Sequence, residues 1–217
     1  MHSANHKLLL NGPVGVIEAL RDAPDRTETS QPLRGTAVIA HPHPLFGGSM
    51  HNKVVHTLAR AFVQAGWQAI RFNFRGVEGS AGSYDEGRGE VQDLLAVIEQ
   101  TADAGAPLCL AGFSFGSFVV AQAIEQAAQR SALEKIILIG TATSRFAVPS
   151  IAPQWHERTL VIHGEHDDTV PLADVMDWAR AQSLPVTVVP AGGHFFHGQL
   201  PLLKSLVLRH LGTPQAA

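Results

Sequence analysis

The chain has 217 residues, of which 45% are hydrophobic, and a formal net charge of −3 with histidine neutral. That length suits a single domain spanning residues 1–217 with a full core, and the apolar content excludes a disordered chain. The mild acidity gives no electrostatic reason to expect nucleic acid or an anionic membrane as a partner, and the lone Cys109 excludes an intrachain disulfide.

Leu8 to Leu10 lead into Asn11-Gly12-Pro13, too short an apolar run for a signal peptide or a membrane span, and no other stretch is long enough. A soluble cytoplasmic protein is expected. Lys7 to Arg21 can supply one or two antiparallel edge strands around that turn, and Asp22 to Leu33 reads as a polar surface loop. Gly35 to Ala40 is a short apolar run that predicts a buried strand. Met50 to Ala65 has helical spacing with Val54, Val55, Leu58, Ala59 and Phe62 on one face, and Gly66 is its stop. Gln68 to Phe72 predicts a strand, Asn73 to Gly89 a loop rich in Gly and Ser, and Glu90 to Thr101 an amphipathic helix. Then come strand Pro107 to Ala111, helix Phe115 to Ala128 and strand Lys135 to Gly140. Strand Thr159 to His163, helix Leu172 to Ala181, strand Val186 to Val189 and helix Gln199 to Leu211 complete the chain. Continuous apolar strands separated by helices predict an α/β fold, a parallel sheet covered on both faces. Cys109 is expected to be a small buried strand residue. Only about eighteen residues separate the strand ending at Gly140 from the next, too few for a helical cap, so a lidless domain is expected.

Gly112-Phe113-Ser114-Phe115-Gly116 follows a strand and opens a helix, the context of a nucleophile elbow. Such a turn places the Ser114 hydroxyl above the sheet edge and aims the Phe115 N–H, at a helix N-terminus, toward developing negative charge. Its small neighbours at 112 and 116 allow close packing. A hydroxyl nucleophile needs a base, and the elbow's partners follow in the order Ser, Asp, His. Asp167 lies just beyond the strand ending at His163-Gly164, where ligand sites in open α/β sheets form. Asp168 is its rival and is expected instead to cap the helix starting near Pro171. His194 follows the last strand, and Gly192-Gly193 allow the tight loop that brings its imidazole over the sheet. His197 is the alternative, while Phe195 and Phe196 are expected to pack.

The first strand exits into His41-Pro42-His43-Pro44-Leu45-Phe46-Gly47-Gly48, where a second oxyanion donor is expected. Pro42 and Pro44 have no N–H and cannot serve; reading His43-Pro44-Leu45 as a local variant of a His-Gly-X oxyanion motif makes the Leu45 N–H the favoured donor, with the His43 N–H as its rival if the motif starts two residues earlier. His41 and His43 are expected to brace this loop by hydrogen bonding rather than bind metal, since no carboxylate or cysteine lies within the motif. Arg75, after the next strand, is expected to brace its own loop.

With these segments in place, the chain from about Gly35 to His210 resembles the small, capless α/β-hydrolases related to dienelactone hydrolases. The resemblance rests on the His41 to Gly48 loop, Asn73-Phe74-Arg75-Gly76, the Ser114 elbow, His163-Gly164-Glu165-His166-Asp167 and Gly193-His194-Phe195-Phe196. It implies Ser114, Asp167 and His194 as a triad, the N–H groups of Leu45 and Phe115 as oxyanion hole, a mostly parallel sheet of about eight strands, and no cofactor. Dienelactone hydrolases proper use a cysteine nucleophile where this elbow has Ser114, so general ester hydrolysis of a small acyl substrate is expected over lactone chemistry. Thioester or peptide hydrolysis on the same residues, a binding module on a hydrolase scaffold, and a metal-dependent hydrolase are the rival readings.

Overall fold

The structure, a computed structural model, describes residues 3–24 and 32–212. One eight-stranded sheet organises it, in the order β1-β2-β4-β3-β5-β6-β7-β8. The strands are β1 (Ser3–Gly12), β2 (Gly15–Pro24), β3 (Thr36–Ala40), β4 (Gln68–Phe72), β5 (Pro107–Phe113), β6 (Ala132–Ile139), β7 (Thr159–Gly164) and β8 (Val186–Val189). The first two form the hairpin expected around Asn11-Gly12-Pro13, and β2 pairs antiparallel with β4. Every other pairing is parallel. Of the loop expected over Asp22 to Leu33, residues 25–31 lie outside the described residues.

Alternation along the central strands divides the interior into two cores. Val38, Ala40, Leu108 and Leu110 point to one face, where α2 (Arg88–Thr101), α3 (Phe115–Arg130) and α4 (Leu172–Arg180) cover them. Ala37, Ile39, Cys109 and Ala111 point to the other, under α1 (Lys53–Gln64) and α5 (Leu200–Leu211). Being buried on both faces, these strands are apolar at successive residues. Cys109 is the buried strand residue expected of it, and burial pushes its thiol pKa up.

Local capping explains where helix starts differ from the hydrophobic pattern. The α1 helix begins at Lys53 rather than Met50 because the Asn52 side chain accepts the Val54 N–H at 2.8 Å. The α2 helix begins two residues earlier than its apolar stripe. There the buried Glu90 carboxylate reaches back to accept the N–H groups of Asp85 and Gly87, each at 2.8 Å. Asp168 does not cap α4, whose N-cap Pro171 has no side-chain hydrogen bond; it is exposed and accepts from the Thr169 hydroxyl at 3.4 Å.

Two buried ion pairs fix the sheet and its loops. Arg71 of β4 donates to both Asp22 oxygens of β2, at 2.7 and 3.0 Å, and to the Met50 carbonyl at 3.0 Å. Arg75 donates to both Asp93 oxygens, at 2.9 and 2.8 Å, and to the Gly89 carbonyl at 2.8 Å. Arg75 is thus the loop brace expected of it, tying the β4 exit to α2. Between β6 and β7 the only helix is the short 3₁₀ segment Pro153–Arg158, so nothing forms a lid. Among the described residues no helix is long and apolar enough to cross a membrane.

The Arg71–Asp22 pair generates a stability prediction. Asp22→Ala strands a buried guanidinium and is expected to cost about 3–5 kcal/mol in urea unfolding, whereas the double change Asp22→Leu with Arg71→Met recovers most of that loss. An Asp22→Ala loss below about 1 kcal/mol would show that the pair is not what joins β2 to β4.

Candidate active site

Six parallel strands, β3 to β8, deliver their C-terminal ends to one edge of the sheet. Ser114 sits between β5 and α3 with φ 56° and ψ −115°, in the left-handed region that a residue with a Cβ rarely occupies. Its N–H donates to the Ile139 carbonyl of β6 at 2.8 Å. The turn is tight because its neighbours have no side chain. A Cβ on Gly116 would collide with the Ala40 and His41 carbonyls, and one on Gly112 with the backbone of Gly116 and Ser117. Ser117 bolts the helix start down: its hydroxyl donates to the Gly112 carbonyl at 2.8 Å and accepts the Ile139 N–H at 3.0 Å.

His194 and Asp167 arrive from the β8 and β7 exits. The His194 Nδ1 lies 2.7 Å from Asp167 Oδ2, and both side chains are buried. The other Asp167 oxygen accepts the N–H groups of Val170 at 2.7 Å and Thr169 at 3.0 Å. Burial by itself would raise the Asp167 pKa, but the hydrogen bonds from His194 and Val170 outweigh it and hold the carboxyl below its ordinary value. An ionised Asp167 must receive a proton from the ring, so Nδ1 carries the hydrogen and Nε2 is left as the acceptor. Ser114 and His194 line one cavity of about 310 Å³, walled by Pro42, His43, Phe46 and Phe146. Phe196 packs in the core, as expected, but Phe195 is 43% exposed and stands at the cavity instead.

Both histidines of the β3 exit brace the loop. The buried His41 donates from Nδ1 to the Pro42 carbonyl at 2.6 Å and accepts the Phe74 N–H on Nε2 at 3.0 Å. Burial holds its pKa down to about 4. With both ring nitrogens engaged, His41 has no lone pair left for a metal, and among the described residues no group of three or more His, Cys, Asp or Glu gathers as a metal site. The His43 Nδ1 accepts the Leu45 N–H at 3.2 Å. This corrects the expectation for Leu45, whose N–H is turned into the 3₁₀ segment Pro44–Phe46 and whose residue is 67% exposed outside the cavity wall. The backbone N–H of His43, the rival, donates to no acceptor among the described residues; nor does that of Phe115, the first residue of α3. His43 and Phe115 both line the cavity.

Two neighbours of the site were given no role in it by the sequence reading. His163, fully buried, places Nε2 2.9 Å from the Val170 carbonyl and 3.4 Å from Asp167 Oδ2, so the carboxylate lies between two imidazoles. Its position in the strand before Asp167 was the available clue. Arg145, on the loop after β6, lines the cavity with its guanidinium carbon 6.0 Å from the Phe46 ring centroid.

Comparison with known proteins bears on the family and the fold. The family model described as serine aminopeptidase, S33, matches residues 31–157, more than half of the chain. The chain belongs to this α/β-hydrolase family. Two solved serine hydrolase structures are similar along the whole length. The crystal structure of XC6422 from Xanthomonas campestris, a serine hydrolase without a lid, is 36% identical with a TM-score of 0.83, covering 99% of each chain. A serine hydrolase homologue from Coxiella burnetii is 35% identical with a TM-score of 0.80, covering 98% of this chain and 100% of that one. The uncharacterized protein RP471 of Rickettsia prowazekii (strain Madrid E) is 29% identical, covering 97% of this hydrolase and 90% of the relative.

The lowered Asp167 pKa makes a signed prediction for this hydrolase. A carboxyl whose folded pKa lies below its unfolded value of 3.8 stabilises the fold fully above that value, and the contribution is lost as pH falls through the folded pKa. Urea unfolding of the protein and of Asp167→Asn should therefore differ most at neutral pH and converge below pH 4. A gap that widens on acidification would contradict the assigned shift.

Proposed function

We propose that this hydrolase cleaves carboxylic esters of small acyl substrates through Ser114, His194 and Asp167. The observation that carries the reading is the 2.7 Å bond from His194 Nδ1 to the buried Asp167, with the ring and the Ser114 hydroxyl opening on the same cavity. In the proposed cycle His194 Nε2 accepts the Ser114 proton as the oxygen attacks the acyl carbonyl. The N–H groups of Phe115 and His43 are the donors offered to the oxyanion, and the dipole of α3 supports the first of them. Imidazolium then protonates the departing alcohol, leaving an acyl-enzyme on Ser114. Water, deprotonated by the same ring, releases the acid and restores the serine. Asp167 keeps His194 in the productive tautomer and stabilises its cationic form.

Peptide cleavage is the second reading, favoured by the description of the matched family model. The cavity argues against the aminopeptidase form of it. A free α-ammonium group calls for a carboxylate partner, and among the described residues no Asp or Glu lines the cavity, where Arg145 brings a positive charge.

The test is turnover of short p-nitrophenyl esters. Ser114→Ala and His194→Ala are each expected to lower kcat by about 10⁴-fold, and the double variant no further, because the two groups act as one unit. Activity should persist in a chelator. A Ser114→Ala protein that keeps most of its esterase activity would overturn the reading.

A further inference from the structure

We propose that Arg145 selects substrates carrying an anionic group, so that the preferred ester of this site is itself a carboxylate or similar anion. The inference rests on the esterase reading of the cavity and deepens it to a substrate class. Three observations carry it. Arg145 lines the cavity shared by Ser114 and His194, while its side chain forms no ion pair and donates no hydrogen bond among the described residues. Arg71, Arg75, Arg88 and Arg180 are held by Asp22, Asp93, Asp85 and Asp177, whereas Arg145 is left uncommitted at the mouth of a cavity. Second, no acidic side chain among the described residues lines the cavity to neutralise this charge. Third, the charge reaches the cavity wall: after burial, the nearby guanidinium is the second cause that holds the His43 imidazole below its ordinary pKa.

The rest of the wall suits the uncharged part of such a molecule. Phe46, Phe146 and Phe195 offer aromatic surface around the opening, with Phe46 76% exposed. The Arg145 guanidinium lies near the Phe46 ring, with five N–H donors that can address two carboxylate oxygens together. An ester with an apolar body on these rings and an anion at Arg145 would match both features. A neutral ester of the same length would use only the first.

The experiment compares two matched pairs of esters. The acyl pair is mono-p-nitrophenyl adipate against p-nitrophenyl hexanoate, and the alcohol pair is 4-acetoxybenzoate against its methyl ester. The readout is the ratio of kcat/KM for the anionic ester to that for its neutral partner. The ratio is expected to exceed one for at least one pair, which also tells which half of the substrate bears the anion. It should fall about fivefold in Arg145→Gln, the scale of a single solvent-exposed ion pair, recover in part in Arg145→Lys, and shrink in high salt. Binding of the same esters to Ser114→Ala, measured by calorimetry, separates the two claims. If no ester is turned over by the unmodified protein but binding still favours the anion through Arg145, the esterase reading fails and the anion site stands. Equal ratios in the unmodified protein and Arg145→Gln, in turnover and in binding, would overturn the proposal.

Discussion

The close approach of α3 to the edges of β3 and β5 governs the geometry of this molecule's active edge. The helix can start there only because positions 112 and 116 lack a Cβ, and because Ser114 accepts a left-handed backbone conformation. Strain of this kind persists only where the surroundings hold it. Here the Ser114 N–H is tied to Ile139, and the Ser117 hydroxyl is tied to both Gly112 and Ile139. The bonds reach from the turn to two parallel strands, so the hydroxyl is positioned by the sheet rather than by a loop.

Around that turn the charges are arranged with few alternatives. Asp167 is buried, yet it accepts from His194, Val170 and Thr169, and so stays ionised beneath the imidazole. His41 and His43 are held toward their neutral forms by burial, which leaves Arg145 as the positive charge of the cavity. His163, whose burial holds its pKa down, adds a second ring beside Asp167, and its buried Nδ1 has no hydrogen-bond partner among the described residues. The pocket therefore combines an acceptor nitrogen at His194, two uncommitted backbone donors at His43 and Phe115, and an unneutralised guanidinium at its rim.

Much of this was legible in the order of residues. The short runs dominated by apolar residues made β3 to β8 readable, and Gly-X-Ser-X-Gly between strand and helix placed Ser114 where the structure has it. Asp167 and His194 were readable because each follows a strand end on the same edge. What failed depended on directions rather than positions. Choosing Leu45 over His43 required knowing which way one N–H points, and the imidazole of His43 decides that by capping the 3₁₀ segment. Arg71 and Asp22 are 49 residues apart, and no local pattern links them. Arg145 lies in a loop after β6 with no motif around it, so only the folded cavity reveals what it faces. Asp168 resembled a cap in spacing, but the turn that feeds two N–H groups to Asp167 directs Asp168 to solvent.

The central claim is that the hydroxyl at Ser114 is an activated nucleophile. Incubation with a fluorophosphonate, followed by intact-mass measurement and peptide mapping, tests it without assuming any substrate. The account predicts one adduct per chain, located on Ser114 and absent from His194→Ala. An unmodified mass after prolonged incubation, or an adduct on another residue, would contradict it.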